Sequence, residues 1–287
     1  MYQFAKLDRN DPQLRASFNT LAEATFGLNF EGWYQNGFWG DNYQPYSMVL
    51  DRKVVANVSL NRTDLVIGGR RRKIYQLGTV MTAPEHRNKG LIRAIMAEIE
   101  KDTVDADGVY LFGNDSVVQF YPKFGFRKGR ECVCTRSVEQ TGLCVLTQVP
   151  MDGPAAWNQL AAAMAESTFP TGCEMTGNPE LIFFYVSQFM QDAVYLHEAT
   201  GTWIIAEPDG DELLIHNVFT KADISLDQII RSFGSDIRHV TLGFSPADST
   251  GWEVKEFHED DCTFFVKGTF FDEFEASQLR IPSLSHA

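Results

Sequence analysis

Long apolar runs are missing from this sequence. No stretch approaches the length of about 20 consecutive apolar residues that a membrane-spanning helix requires, so no membrane partner is expected. The start, Met1-Tyr2-Gln3-Phe4-Ala5-Lys6, has neither the apolar stretch nor the small-residue cleavage site of a secretory signal. Cysteine is scarce: the five residues Cys132, Cys134, Cys144, Cys173 and Cys262 are odd in number and scattered, which does not make a disulfide framework. A reduced, cytoplasmic protein is the expectation. Histidine is also thin, with six dispersed residues and no His-Glu-x-x-His, and Cys132-x-Cys134 has no matching Cys or His pair after it, so no metal site is expected. Neither a Gly-x-Ser-x-Gly elbow nor a Walker loop occurs, which argues against serine hydrolases and P-loop NTPases.

Positive charge is in deficit too. Against 38 Asp and Glu stand 25 Lys and Arg, a formal net charge of −13, the wrong sign for a nucleic-acid partner. The run Arg70-Arg71-Arg72-Lys73 is the local exception; it follows Gly68-Gly69 and reads as the solvated end of a hairpin. An acidic chain favours a cationic small molecule through long-range steering. Oligomeric state has no sequence signature here.

What is present is a globular composition, with 44% hydrophobic and 22% charged residues, in a length of 287 that suits two domains. Asp11 before Pro12 makes a helix start, and Leu14, Phe18, Leu21 and Phe26 recur at helical spacing, which predicts a helix over 12–26. The segment after it is rich in aromatics (Phe30, Trp33, Tyr34, Phe38, Trp39, Tyr43, Tyr46), expected to serve as core, lid or substrate-cleft residues. Strands are expected at 46–50, 54–60, 64–67 and 73–81, then a helix at 91–102, a strand at 109–112, a short helix at 116–123 and a strand at 131–138. The second half repeats this order loosely. Helices are expected at 154–167 and 179–190, strands at 193–197, 202–207 and 212–219, a helix opened by Ser225, and strands at 237–244 and 262–267. Asn217-Val218-Phe219-Thr220 parallels Thr79-Val80-Met81-Thr82, a weak internal repeat. The expected fold is α/β (α+β), with mixed sheets flanked by helices, and two tandem domains at 1–140 and 141–287.

Chemistry concentrates where the strand ending at Val80-Met81-Thr82 runs through Pro84 into a helix at Arg87-Asn88-Lys89-Gly90-Leu91-Ile92. Backbone N–H groups at a helix N-terminus lack internal partners and, with the helix dipole, bind anions such as a pyrophosphate. Gly90 has no Cβ to block a close approach, and Arg87 and Lys89 add positive charge.

This stretch resembles motif A of the GCN5-related N-acetyltransferases (the GNAT superfamily), whose pattern is Arg/Gln-x-x-Gly-x-Gly/Ala after a central strand. It departs at Ile92, where that pattern has a small residue. The variant His86-Arg87-x-x-Gly90-Leu91-Ile92-Arg93 is closer to the enhanced-intracellular-survival type, which has tandem acetyltransferase-like domains and a third, sterol-carrier-like one that this length does not accommodate. A second segment, Asn114-x-x-Val117-x-x-Phe120-Tyr121-Pro122-Lys123-Phe124-Gly125-Phe126, is similar to motif B of the same superfamily. Together the two cover most of residues 1–137.

The resemblance implies acetyl-CoA as co-substrate, bound by Val80, Met81, Thr82, Arg87, Asn88, Lys89, Gly90, Leu91, Ile92 and Asn114, without a metal. It makes Tyr121 the general acid that protonates the departing thiolate. Asn114 is equally an ordinary strand-to-helix cap. For the general base the candidates are Glu85, His86, Asp115, Glu23 and Glu31; the resembling family also uses a chain-terminal carboxylate from its last domain, a role that is not carried over to Ala287. The second half has Lys221-Ala222-Asp223-Ile224-Ser225-Leu226 where a phosphate loop would stand, with no glycine, so only the first half is expected to bind cofactor. The expected activity is N-acetylation of a primary amine. Alternatives are a non-catalytic acetyl-CoA sensor or pseudo-enzyme, or transfer of a longer acyl chain.

Overall fold

The computed structural model describes residues 1–285, which leaves Ala287 outside the described residues. Two seven-stranded sheets organise it. The first runs in the order Gln3–Lys6, Tyr43–Leu50, Lys53–Arg62, Ile74–Thr82, Gly108–Gly113, Thr263–Lys267 and Arg127–Lys128. Its one parallel pair joins Ile74–Thr82 to Gly108–Gly113, in register from Ile74↔Gly108 to Leu77↔Leu111. Parallel neighbours need a crossover, and helix α3 (Leu91–Asp102) supplies it. The α3 face formed by Leu91, Ile95, Met96 and Ile99 is buried against Val58, Leu77 and Leu111 of the sheet.

Helix α1 (Pro12–Phe26) starts as the sequence predicts, the Asp11 carboxylate accepting from Gln13 N at 3.0 Å and Leu14 N at 3.1 Å. The short α2 (Glu31–Gln35) follows. Phe30, Trp33, Trp39 and Tyr43 are core residues rather than cleft walls, and they pack with Phe184 from α5 (Pro179–Gln188).

The second sheet has the order Thr147–Gln148, Val194–His197, Thr202–Asp209, Glu212–Phe219, His239–Leu242, Cys132–Ser137 and Glu253–Glu256. Helix α4 (Pro154–Glu166) packs on it, and α6 (Leu226–Arg231) lies in the crossover between its parallel strands. The parallel pair here ends at Ile215↔Leu242, as the first sheet's ends at Leu77↔Leu111. Two residues beyond these pairs lie Asn217 and Thr79, so the weak sequence parallel coincides with a structural one.

Sheet membership crosses residue 140 in both directions. Cys132–Ser137 belongs to the second sheet, while Thr263–Lys267 sits inside the first, between Gly108–Gly113 and Arg127–Lys128. Helix α7 (Phe270–Ala276), which follows that late strand, buries Phe270, Phe271 and Phe274 against Tyr110 of the first sheet.

The helix expected over 116–123 is instead two 3₁₀ turns, Asp115–Val117 and Tyr121–Phe124. Pro122 has no N–H to donate and its ring opposes helix continuation from the preceding residues. The basic run lies in and just after a hairpin, Leu65–Ile67 with Arg70–Arg72, and it is paired: Arg71 with Asp64 at 2.8 Å, Arg72 with Glu273 at 2.9 Å, Lys73 with Asp105 at 2.6 Å. Among the described residues no helix is long and apolar enough to cross a membrane.

Candidate active site

Past Leu77 and Leu111 the two parallel strands no longer pair, and a cavity of about 860 Å³ opens between them. On the Ile74–Thr82 side the opening coincides with a bulge. Asn57 faces Met81 and Ser59 faces Gly78, so Thr79 and Val80 together oppose Val58 alone. Thr79 has φ +41°, a left-handed conformation that a β-branched residue adopts only when its surroundings hold it there.

The loop beyond turns through Pro84–His86 and reaches Gly90, the N-cap of α3, with φ 74° and no side chain capping the helix. Glycine adopts that backbone without strain, and it leaves the first-turn N–H groups open to a ligand. Arg87 folds back so that Nε donates to the Thr82 carbonyl at 3.3 Å. Every residue expected to bind cofactor, together with Tyr121, lines this one cavity, from Val80, Met81 and Thr82 through Arg87–Ile92 to Asn114. Its wall also holds Arg93 and Lys123, and no Asp or Glu among the described residues. In a chain of net charge −13 that is a local inversion of sign, suited to a polyanion.

Tyr121 is 4% exposed, its ring packed on Phe265 at 5.2 Å and beside Phe120 and Phe126. A Cβ on Gly113 would lie 2.9 Å from that ring, so only glycine leaves room for the tyrosine. Its hydroxyl has no hydrogen-bond partner among the described residues, and burial pushes its pKa up to about 12. The phenol is thus a protonated, uncommitted donor at the cavity wall. Asn114 Oδ1 accepts from Ser116 N at 3.2 Å, a cap, and the residue lines the cavity.

Of the five candidate bases, His86 alone lines the cavity, and its Nδ1 is 2.9 Å from the Tyr2 hydroxyl. Glu31 is held by Arg15 at 2.9 Å, and hydrogen bonding to that guanidinium lowers its pKa. Glu23 accepts from Asn29 at 2.7 Å. Glu85 and Asp115 are exposed and off the cavity wall.

Residues 17–129 match the family model described as an acetyltransferase (GNAT) domain. This segment is a GNAT acetyltransferase domain. The whole chain is similar in fold to a conserved protein from Enterococcus faecalis V583, with 14% identity, TM-score 0.57, and coverage of 96% of this chain and 74% of that one. A GCN5-related N-acetyltransferase from Kribbella flavida gives 14%, 0.57, 95% and 73%. Eis1 from Mycobacterium abscessus gives 12%, 0.54, 92% and 73%. At such identities the likeness is one of fold, a tandem arrangement of two GNAT-like bodies. No curated protein matches this chain in sequence.

The second body treats the corresponding helix start differently. Ser225 Oγ accepts from Gln228 N while the Gln228 side chain accepts from Ser225 N, so α6 caps itself. Lys221, in the loop before it, is paired with Glu166 at 2.8 Å. Among the described residues no group of three or more His, Cys, Asp or Glu is placed to hold a metal ion.

Sequence reasoning missed Thr79 as a positioned residue and Arg93 and Lys123 as wall cations. A signal was available for the first: Ser47, Asn57 and Ser59 are polar interruptions in otherwise apolar strands, and all three are fully buried.

Proposed function

We propose that this chain transfers an acetyl group from acetyl-CoA to a primary amine, with the body built on the first sheet, mostly residues 1–140, carrying the chemistry and the body built on the second sheet, mostly 141–287, degenerate. The observation that carries the reading is the single cavity in which an uncapped helix start, four cations and a buried, unpaired phenol converge. The cofactor's pyrophosphate suits the N–H groups of Gly90, Leu91 and Ile92, with Arg87 and Lys89 beside them. The thioester carbonyl then lies by the bulge at Thr79–Val80, where backbone N–H groups can stabilise the developing oxyanion. The amine nitrogen attacks, the N–C bond forms as the C–S bond breaks, and Tyr121 gives its proton to the departing sulfur. The proton lost by the amine leaves to water, from which Tyr121 is re-protonated.

The acceptor is a small molecule bearing a primary amine, and the net charge of −13 favours a cationic one by steering. A thiol-release screen with acetyl-CoA over aminoglycosides, polyamines, amino acids and peptides tests this. Release with at least one class supports the reading; tight acetyl-CoA binding with no release across the panel would instead support a sensor.

Two further outcomes are expected. Calorimetry should give one acetyl-CoA per chain, because α6 caps its own first turn; two equivalents would contradict the assignment. In a pH series, a tyrosine raised to about 12 keeps its proton below roughly pH 11, so kcat should rise as the amine deprotonates and then hold level to about pH 10. A falling limb near pH 9 that disappears in Tyr121→Phe would contradict the raised pKa while assigning the acid to Tyr121, and a falling limb that persists in Tyr121→Phe would count against Tyr121 as the acid.

A further inference from the structure

The bulge that faces the cavity rests on a buried polar network, and the second half of the chain backs that network. Thr79 Oγ1 donates to Ser59 Oγ at 2.6 Å and lies 2.7 Å from the Tyr43 hydroxyl. Asn57 Nδ2 donates to the Thr79 carbonyl at 3.1 Å and to Ser59 Oγ at 3.0 Å, and its Oδ1 accepts from Ser47 Oγ at 2.8 Å. All of these side chains are buried, so the bonds compete with no water. They supply what a β-branched residue at φ +41° requires, a surrounding that over-determines the backbone.

Tyr43 belongs to a ring stack that leads into the second half. Its ring stacks on Phe30 at 5.6 Å and 22°, and Phe30 stacks on Phe184 of α5 at 5.2 Å and 17°. Helix α5 is tied to α2 by the Trp33 indole N–H donating to the Glu180 carbonyl at 2.9 Å, and its cap is tied to the first sheet by Asn178 Nδ2 donating to the Arg62 carbonyl at 2.7 Å. A continuous set of contacts therefore joins Phe184 to the backbone that the acyl carbonyl would meet.

We infer that Tyr43 and Thr79 are positioning residues that lock the acyl-binding bulge, and that the second half contributes to the reaction by holding Tyr43 in place through Phe184. This rests on the acetyl-transfer reading of the cavity. Neither residue gives or takes a proton in the reaction; the network aims the Thr79–Val80 backbone at the thioester carbonyl. A misplacement of about 1 Å at such a site costs on the order of 100-fold in rate.

The test uses the full chain with Tyr43→Phe and Thr79→Val, which remove only hydroxyl interactions, Thr79→Ser, which keeps the hydroxyl, and Phe184→Leu. Tyr43→Phe and Thr79→Val should lower kcat about 10–100-fold with KM for acetyl-CoA within about threefold, Thr79→Ser should restore most of the loss, and Phe184→Leu should fall between. In parallel, calorimetry compares acetyl-CoA with CoA: the wild type should prefer acetyl-CoA, and the two hydroxyl-deleting variants should lose that preference while still binding CoA. This readout needs no acceptor. A wild type that prefers acetyl-CoA yet transfers to no amine overturns the transferase reading alone. Unchanged kcat or unchanged preference in Tyr43→Phe and Thr79→Val overturns the lock, as does a Thr79→Ser as impaired as Thr79→Val. A wild type with no preference for acetyl-CoA overturns it too, since the carbonyl is then not held at the bulge.

Discussion

Replacing Tyr121 by Phe should lower kcat by roughly 10²–10⁴-fold while acetyl-CoA binds within about twofold of wild type. The substitution removes one oxygen from a ring whose packing is otherwise unchanged: the contacts with Phe265, Phe120 and Phe126 are ring contacts, and the hydroxyl has no partner among the described residues to orphan. Thermal stability should accordingly shift by little in either direction, which separates a chemical loss from a folding one. The mechanism predicts where the loss falls. A thiolate leaving into a low-dielectric pocket without a proton is a high-energy species, so the penalty appears in the step that breaks the C–S bond. Donors with a more acidic thiol should then be less affected than acetyl-CoA. Steady-state kinetics with both kinds of donor, alongside calorimetry of acetyl-CoA, make the measurement. Turnover within threefold of wild type would remove Tyr121 from the mechanism and leave the cavity as a binding site.

The loop and helix start that line this cavity were legible in the sequence because their determinants are local. A strand end, Pro84, Arg87 and Gly90 lie within a dozen residues, and each acts through backbone geometry that neighbours in sequence decide. The place of Tyr121 at the cavity wall was legible for a related reason, since Asn114 and Gly125-Phe126 frame it at fixed spacing. The bulge was not. Its conformation at Thr79 depends on Tyr43, Asn57 and Ser59, three residues on two other strands, and no pattern along the chain brings them together. The same holds for the sheets. The longer strands over 43–82 were visible from their apolar runs, but the insertion of Thr263–Lys267 between Gly108–Gly113 and Arg127–Lys128 is a pairing across about half the chain. Alternation says that a strand is buried; it does not say which sheet takes it. The expected helix at 116–123 failed locally: the apolar spacing was right, but Pro122 decided the backbone.

That late insertion leads to the second large effect. Phe265→Ala should destabilise the protein by about 3–5 kcal/mol, the usual cost of emptying a fully buried aromatic site. Phe265 has no exposed surface, lies opposite Leu111 on one side and Lys128 on the other, and packs against Tyr121. Its neighbours are strand residues fixed by pairing on both sides, so the cavity has little freedom to collapse. The substitution lies in the C-terminal half of the sequence, yet it should be felt first in the acetyltransferase domain, as weaker acetyl-CoA binding and a displaced Tyr121. It should also be felt in the second sheet, because Cys132–Ser137 crosses the other way and is bonded to His239–Leu242 and Glu253–Glu256. Two bodies that each lend the other a strand cannot unfold independently without breaking a sheet ladder. Chemical denaturation followed by tryptophan fluorescence and far-UV circular dichroism should therefore show one coincident transition in the wild type and one, at lower denaturant, in Phe265→Ala. Two separated transitions, with only one of them moved by the substitution, would mean that the exchanged strands do not couple the halves and that the second half is not part of the folding unit that builds the site.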